Sequence, residues 1–297
     1  MKERNLTRRD FLKTGAMAAA AGAVMMNHPF ELLAKQQTKT RVVLVRNPNV
    51  FDSAGKLVPD VLKEMMDDSL KALFNTKDAA TAWKKIIKPD DIVGIKTNTW
   101  RSLRTPVELE AEIKKRVMEV GVDEQNISIN DQGILRDPVF QKATALINSR
   151  PMRTHYWSGV GSLIKNYIMF EERPSDLHPD SCADLAKAWF LPNVKGKTRL
   201  NVLVMLSPLF NSVGPHGYSP EYVWKYCGLI VGIDPVACDS TGLRIIEAKR
   251  KEFFEEDRPL NPPAKHIELA DTRHHLGTAD PKKIELIKLG SKEGVLI

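Results

Sequence analysis

Two lysine–amide pairs are the residues whose types and spacing suggest binding chemistry. Lys96 is followed by Asn98 in the segment VGIKTN, and Lys165 directly precedes Asn166. A lysine beside an amide can hold a phosphate or carboxylate group through charge-assisted hydrogen bonds. An ordinary explanation is also open, since a lysine can extend its amine to water and an asparagine can close a turn. Arg153 adds another positive charge, so these residues predict an anion site if the fold brings them together.

Histidine and aspartate supply the candidates for acid–base chemistry and metal binding. His155 can act as a general base or a metal ligand, or it can be a structural histidine. Asp234 and Asp239 lie five residues apart, and two carboxylates can hold a divalent metal together with His155 or His178. In the alternative interpretation Asp234 caps a helix. Asp131 either caps the segment after it or accepts a hydrogen bond from a ligand.

Two further histidines occur in sequence that is typical of loops. His178 precedes a predicted helix, and the N-terminal end of a helix favours anions. His216 lies between Gly214 and Gly217, which suggests either a close approach of backbone to a ligand or a simple surface turn. The catalytic candidates are His155, Asp234 and Lys165, and the metal-ligand candidates are His155, Asp234 and Asp239. The ligand-binding candidates are Lys96, Asn98, Asp131, Arg153, Asn166, His178, Gly214 and His216.

The elements that must position these residues alternate between strands and helices. The predicted strands are 41–46, 92–96, 126–131, 150–155, 199–206 and 227–234, with an edge strand at 282–290. The predicted helices are 61–74, 107–120, 138–147, 180–190 and 235–251. This alternation predicts a single Rossmann-like α/β domain over 40–297, with a mostly parallel sheet and helices on both faces. Ligands of such sheets bind outside the carboxyl ends of the strands, where most of the candidates lie.

The N-terminal segment is typical of an export signal. The sequence TRRDFLK at 7–13 contains paired arginines followed by Phe-Leu, and an uncharged Ala/Gly-rich run extends to Met26. That run is too short to span a bilayer, so no lasting membrane span is expected. We predict a twin-arginine signal peptide at 1–23 and a linker at 24–39. The protein is then periplasmic or otherwise exported, and the twin-arginine export machinery is its partner.

Composition and missing motifs exclude several classes of protein. The net charge is +7, but 1–23 holds five basic and two acidic residues, which leaves about +4 for the remainder. No basic run is interleaved with aromatic residues, so nucleic acid is not an expected partner. The three cysteines have no Cys-x-x-Cys spacing, and the chain contains no iron–sulfur cysteine motif. The sequence also lacks the nucleotide-binding glycine motifs and the Gly-x-Ser-x-Gly hydrolase motif.

Four separated motifs together resemble the domain of unknown function 362 family. They are VGIKTN at 93–98, PMRTHYWSGVGSLIKNY at 151–167, Gly-Pro at 214–215 and GLIVGIDPVACDS at 228–240. The resemblance covers 41–245 and leaves 251–297 as an irregular C-terminal extension. Arg153 stands where the family usually has lysine, and this chain lacks the ferredoxin-like cysteines of some relatives. The resemblance implies that one site contains Lys96, Asn98, Asp131, His155, Lys165, Asn166, Gly214, Asp234 and Asp239.

Two functions follow for an exported α/β protein with a polar pocket at the carboxyl edge of its sheet. In an enzyme of redox or hydrolytic type, Lys96, Arg153 and Lys165 would hold an anion. His155 with Asp234 or Asp239 would then act as acid and base or bind a divalent metal. In the alternative, a non-catalytic periplasmic binding protein captures an anionic metabolite or cofactor in the same pocket. Both functions require that distant loops meet at one edge of the sheet.

Overall fold

A single mixed β-sheet organises the protein. The structure is a computed structural model that describes residues 39–212 and 217–297. Its described strands are β1 (Thr40–Arg46), β2 (Val93–Lys96), β3 (Ile127–Asn130), β4 (Ala145–His155), β5 (Gly159–Gly161), β6 (Thr198–Leu209), β7 (Gly228–Gly232) and β8 (Ile284–Gly290). The order across the sheet is β3-β2-β4-β6-β7-β1-β8, and the short β5 pairs with the end of β4.

Helices cover both faces of this sheet. The described α-helices are α1 (Pro59–Phe74), α2 (Ala79–Trp83), α3 (Val107–Val120), α4 (Pro138–Lys142), α5 (Leu163–Asn166), α6 (Pro179–Cys182), α7 (Pro235–Phe254) and α8 (Lys265–Thr272). Alternate residues of each strand face opposite layers, so Val43 and Val45 of β1 pack with α1, α2 and α3. Val42 and Leu44 pack on the other face with α5, α7 and α8. The predicted α/β class, with helices on both faces, is therefore confirmed.

The direction of β7 makes the sheet mixed. β3, β2, β4 and β6 are parallel to one another, and β1 is parallel to β8. β7 runs antiparallel to both β6 and β1, and its last residue, Gly232, pairs with Asn201 near the beginning of β6. The sheet is therefore mostly parallel, and the carboxyl end of β7 lies at the edge opposite to those of β2, β3 and β4.

Local sequence signals explain the ends of the longer helices. α3 begins after Pro106 and ends at Gly121, whose φ of 114° lies in the left-handed region that glycine adopts without strain. α7 begins with Pro235 directly after Asp234, whose side chain accepts from the backbone N–H groups of Val236 and Ala237. Both boundaries agree with the predicted ones.

Three predicted elements differ from the structure. The helix predicted at 138–147 ends at Lys142, and its apolar second half begins β4, because that segment pairs with β2 and β6. The helix predicted at 180–190 is interrupted, since Asp180 and Ser181 have positive φ and a 3-10 helix follows at Leu185–Phe190. The extension at 251–297, predicted as irregular apart from its edge strand, also contains the helix α8, while the predicted edge strand is confirmed as β8.

Candidate functional site

A cavity of about 300 Å³ opens where β2, β3 and β4 end. Among the residues that line it are seven of the sequence-predicted candidates: Asn98, Asp131, Arg153, His155, Lys165, Asn166 and His178. Further lining residues are Trp100, Gln132, Arg150, Trp157, Ile168, Met169 and Pro174. The structure therefore brings together side chains from β2, β3, β4 and α5, as the strand-end rule predicts.

A buried ion pair supports one wall of the cavity. The Lys96 ammonium donates to Asp131 Oδ1 at 2.5 Å and to the Thr97 carbonyl oxygen at 2.8 Å. Asp131 Oδ2 accepts from the backbone N–H of Thr99 at 2.8 Å. Burial lowers the pKa of Lys96 to about 8, and Asp131 opposes that shift. For Asp131, burial raises the pKa, but the Lys96 charge and the hydrogen bonds outweigh it and leave the pKa lowered. Lys96 thus lies behind the cavity wall and balances the charge of Asp131.

Two buried arginines provide positive charge in the lining of the cavity. Arg153 donates to Asn98 Oδ1 at 3.0 Å, and its guanidinium lies 4.5 Å from the centre of the Trp100 ring. Arg150 is only 4% exposed and makes no hydrogen bond or ion pair within the described part of the chain. Burial lowers the pKa of Arg150 to about 10, although the charges of Asp131 and Asp239 oppose that shift, and the guanidinium stays protonated at neutral pH. Arg150 therefore presents a charged group that no protein side chain contacts as a direct ion-pair partner.

Both arginines lie near the carboxyl end of β4, where the cavity opens. In a regular strand, residues 150 and 153 point to opposite faces of the sheet, so the two side chains approach the cavity from different sides. The register between β4 and β6 shifts beside them, because two residues of β4 from Pro151 to Arg153 pair across five residues of β6. Gly161 of β5 also leaves room, because a Cβ atom there would lie 2.8 Å from Arg150 Nη2.

Lys165 and His155 complete the basic part of the lining. Burial, together with the charges of Arg150 and Arg153, lowers the pKa of Lys165 to about 8. The Lys165 amine donates to Cys182 Sγ at 3.7 Å. His155 Nδ1 accepts from the backbone N–H of Trp157 at 3.2 Å, which places the proton of the neutral ring on Nε2. Burial and the nearby cations lower the pKa of His155 to about 2, so this imidazole is neutral.

Asp239 positions α5 from the neighbouring helix α7. Its carboxylate accepts from Ser162 Oγ at 2.6 Å and from the backbone N–H groups of Leu163 and Ile164 at 3.0 and 2.8 Å. These bonds satisfy the first donors of the helix that carries Lys165. Burial raises the pKa of Asp239 to about 7, although its hydrogen bonds favour the charged form. Asp239 is therefore a capping group and does not line the cavity.

The structure does not place Asp234 beside His155, which corrects the expectation that they share one site. Asp234 Oδ1 accepts from the backbone N–H groups of Val236 and Ala237, and Oδ2 accepts from that of Thr278. Because β7 is antiparallel, these contacts lie at the opposite edge of the sheet. The helix-capping alternative for Asp234 is the one observed.

The remaining predicted residues divide between the cavity and the undescribed part of the chain. His178 lines the cavity and packs against Trp157, with ring centres 4.0 Å apart. Burial, followed by the charge of Lys165, lowers the pKa of His178. Gly214 and His216 lie outside the described residues. In the described ranges, no group of three or more His, Cys, Asp or Glu side chains is arranged to hold a metal ion.

Sequence reasoning missed Arg150 and His266. Arg150 lies inside a strand whose residues are all buried, and a charged residue within such a strand is a signal that could have identified it. His266 of α8 is fully buried, and the backbone of Ser158 lies near enough to favour its protonated ring. Burial, with Lys165 and Arg150 nearby, lowers the pKa of His266 to about 3. No sequence motif marks this histidine.

The fold and the N-terminal sequence define an α/β protein with an export signal. A family model described as the TAT (twin-arginine translocation) pathway signal sequence matches residues 5–25. No model of the domain of unknown function 362 family, or of another family, matches the chain. No curated protein and no solved structure matches it either. Over the described residues, no helix combines the length and hydropathy needed to cross a membrane.

Proposed function

We propose that this exported protein binds a small anionic molecule in the cavity at the carboxyl ends of β2, β3 and β4. The observation that carries the proposal is the buried guanidinium of Arg150, which makes no hydrogen bond or direct ion pair among the described residues. Arg153 and Lys165 line the same cavity. The one carboxylate in the lining, Asp131, is already paired with Lys96.

The energetics of burial support this proposal. A charged group that is removed from water without a partner costs several kcal/mol, so a free buried guanidinium is unfavourable for stability alone. A carboxylate or phosphate would offset that cost with two parallel hydrogen bonds to an arginine. The neutral state of His155 leaves its Nε2–H as a further donor toward an anion.

An enzyme is the second candidate, and Lys165 favours it. This lysine lines the cavity, and its pKa of about 8 lies close to neutral pH. A lysine with such a pKa can transfer a proton or act as a nucleophile on a bound substrate. Metal analysis and mass spectrometry of what copurifies with the native protein would separate the two functions. A bound anion found unchanged on the protein favours capture, whereas a substrate–product pair favours catalysis.

The proposal also covers the cellular location of the protein and the family to which it belongs. The signal sequence supports export, and we place the folded protein in the periplasm. The ordered motifs from VGIKTN to GLIVGIDPVACDS support membership in the domain of unknown function 362 family. Their residues Asn98, Arg153 and Lys165 lie together in the cavity.

Isothermal titration calorimetry of the purified chain with sulfate, phosphate and citrate tests the anion site. Arg150→Gln should weaken the binding of these anions about tenfold or more, because the charge-assisted hydrogen bonds are lost. Arg199→Gln is the matched control, since Arg199 is exposed and does not line the cavity. Equal affinities for the two variants, or no anion binding to the unmodified protein, would contradict the proposal.

A further inference from the structure

Two tryptophans line the cavity and add apolar surface to its basic lining. Trp157 is 42% exposed although it lines a cavity, and its ring packs against His178 and Tyr156 at 4.0 and 4.5 Å. Trp100 also lines the cavity, with the Arg153 guanidinium against its ring. Ile168, Met169 and Pro174 extend the apolar lining. The lining thus combines a cationic part with aromatic and aliphatic walls.

The exposure of Trp157 has a cost that a ligand would remove. Each Å² of apolar surface taken from water contributes roughly 25 cal/mol, so a half-open indole ring leaves stabilisation unused. The contacts with His178 and Tyr156 hold the ring in place, which reduces the entropy lost when a ligand covers it. An inorganic anion would meet Arg150 and Arg153 but would leave the apolar walls in contact with water.

We propose that the ligand is an aromatic acid: a planar ring that carries a carboxylate or phosphate group. The acid group contacts Arg150 and Arg153, and the ring packs against the indole of Trp157. This inference rests on the proposed anion site and specifies the class of molecule that enters it. An aromatic body is favoured over an aliphatic one because stacked or edge-to-face rings gain energy beyond the burial of their area. The volume of the cavity suits a small molecule of this kind.

Calorimetry with acids that differ only in the body of the molecule tests the inference on the full chain. Acetate, cyclohexylacetate and phenylacetate carry the same charge, and phenyl phosphate separates phosphate from carboxylate recognition. Phenylacetate should bind about tenfold more tightly than acetate and also more tightly than cyclohexylacetate. Trp157→Leu should remove the preference for phenylacetate over cyclohexylacetate, because the ring that stacks with the aromatic ligand is lost. Phe190→Leu is the matched control, because Phe190 is also 42% exposed but does not line the cavity.

The outcomes separate this inference from the function on which it rests. If phenylacetate binds no more tightly than cyclohexylacetate, or if Trp157→Leu keeps the preference, the aromatic class is wrong and the anion site stands. If none of the acids binds, or if Arg150→Gln binds them as well as the unmodified protein does, the anion site itself is wrong. Equal losses in Trp157→Leu and Phe190→Leu would also overturn the role of the Trp157 ring.

Discussion

At the scale of single residues, the cavity contains a buried charged side chain that lowers the stability of the fold. Arg150 is buried without a partner, whereas Arg250, which is also buried, donates to the Phe210 carbonyl oxygen and to Asn211 Oδ1. The two arginines share burial and differ in hydrogen bonding. Under the proposed function Arg150 binds the anion, whereas the contacts of Arg250 stabilise the fold.

The first prediction compares these two arginines. Arg150→Met should raise the free energy of unfolding by about 1 kcal/mol, because it replaces an unpaired buried charge with an apolar side chain. Arg250→Met should lower the free energy of unfolding, because it leaves buried acceptors without a donor. Urea denaturation of both variants measures the effect. A comparable loss of stability in the two would show that Arg150 has a structural role.

The second prediction concerns the pH dependence of binding. Lys165 is protonated below its pKa of about 8, and a bound anion favours the protonated amine. The affinity for sulfate, whose own charge is constant, should therefore be highest below pH 8 and should fall as the pH rises toward 9.5. Calorimetry across this range measures the change. Lys165→Met should bind sulfate more weakly and with a flatter pH profile, and an unchanged profile in that variant would count against Lys165.

At the scale of elements, the site depends on short segments that their neighbours hold in place. α5 has only four residues, too few to form a stable helix alone. Asp239 of α7 supplies its cap, and Asn166 at its end donates to Asn148 Oδ1 of β4 at 2.8 Å. The position of Lys165 is therefore set by contacts from α7 and β4.

The third prediction separates Asp234 and Asp239, the two aspartates at the N-terminal end of α7. Asp239→Ala and Asp234→Ala each remove an acceptor of three hydrogen bonds, so each should lower the free energy of unfolding by about 2 kcal/mol. Asp239→Ala should also weaken anion binding, because α5 loses its cap. Asp234→Ala should not, because Asp234 lies at the opposite edge of the sheet. Denaturation and calorimetry on both variants provide the comparison.

The fourth prediction concerns the glycine beside Arg150. Gly161→Ala places a Cβ atom 2.8 Å from Arg150 Nη2, the flexible end of a side chain that can move. The variant should therefore lose affinity for sulfate with little change in stability. Gly94→Ala places a Cβ atom at the same distance from Phe140 in the packed core and should instead cost stability. Equal stability losses in the two variants would contradict this account of Gly161.

At the scale of the whole molecule, the export signal directs export and the α/β domain carries the proposed binding site. Residues 5–25 match the signal sequence, and the cavity is built entirely from residues between Asn98 and His178. A receptor reads the signal as an address. Export and anion binding should therefore respond to different substitutions.

The fifth prediction tests that separation. Replacing both Arg8 and Arg9 with lysine should retain the chain in the cytoplasm, because the receptor reads the arginine pair. The retained protein should bind sulfate with unchanged affinity. Fractionation of cells followed by calorimetry on the purified protein measures both quantities. Arg4→Lys, which leaves the pair intact, is the control and should be exported normally.

Much of the fold can be predicted from local sequence. Runs of β-branched residues bounded by turn residues predict the strands β1, β2, β6 and β7. Proline, glycine and a capping aspartate mark the ends of the helices α3 and α7. The helix predicted at 138–147 is wrong in its second half, because an apolar run is compatible with either element until a neighbouring strand pairs with it.

The site is predictable only in part. The sequence predicts that Asn98, Asp131 and His155 line the site, because parallel strands end at one edge of the sheet. The same rule failed for Asp234, because it assumes a strand direction that β7 does not have. Arg150 is not predicted because it lies within β4, and its access to the cavity depends on the small residue at 161 of the neighbouring strand β5.

The sequence by itself determined the export signal, the α/β class and the limits of most elements, because these depend on periodicity, turn residues and caps within a few positions. Tertiary structure decided the direction of β7, the register shift between β4 and β6 and the meeting of Arg150, Arg153 and Lys165 at one cavity. Those features depend on pairing and packing between segments that are far apart along the chain, and a local pattern carries no information about which partner is chosen.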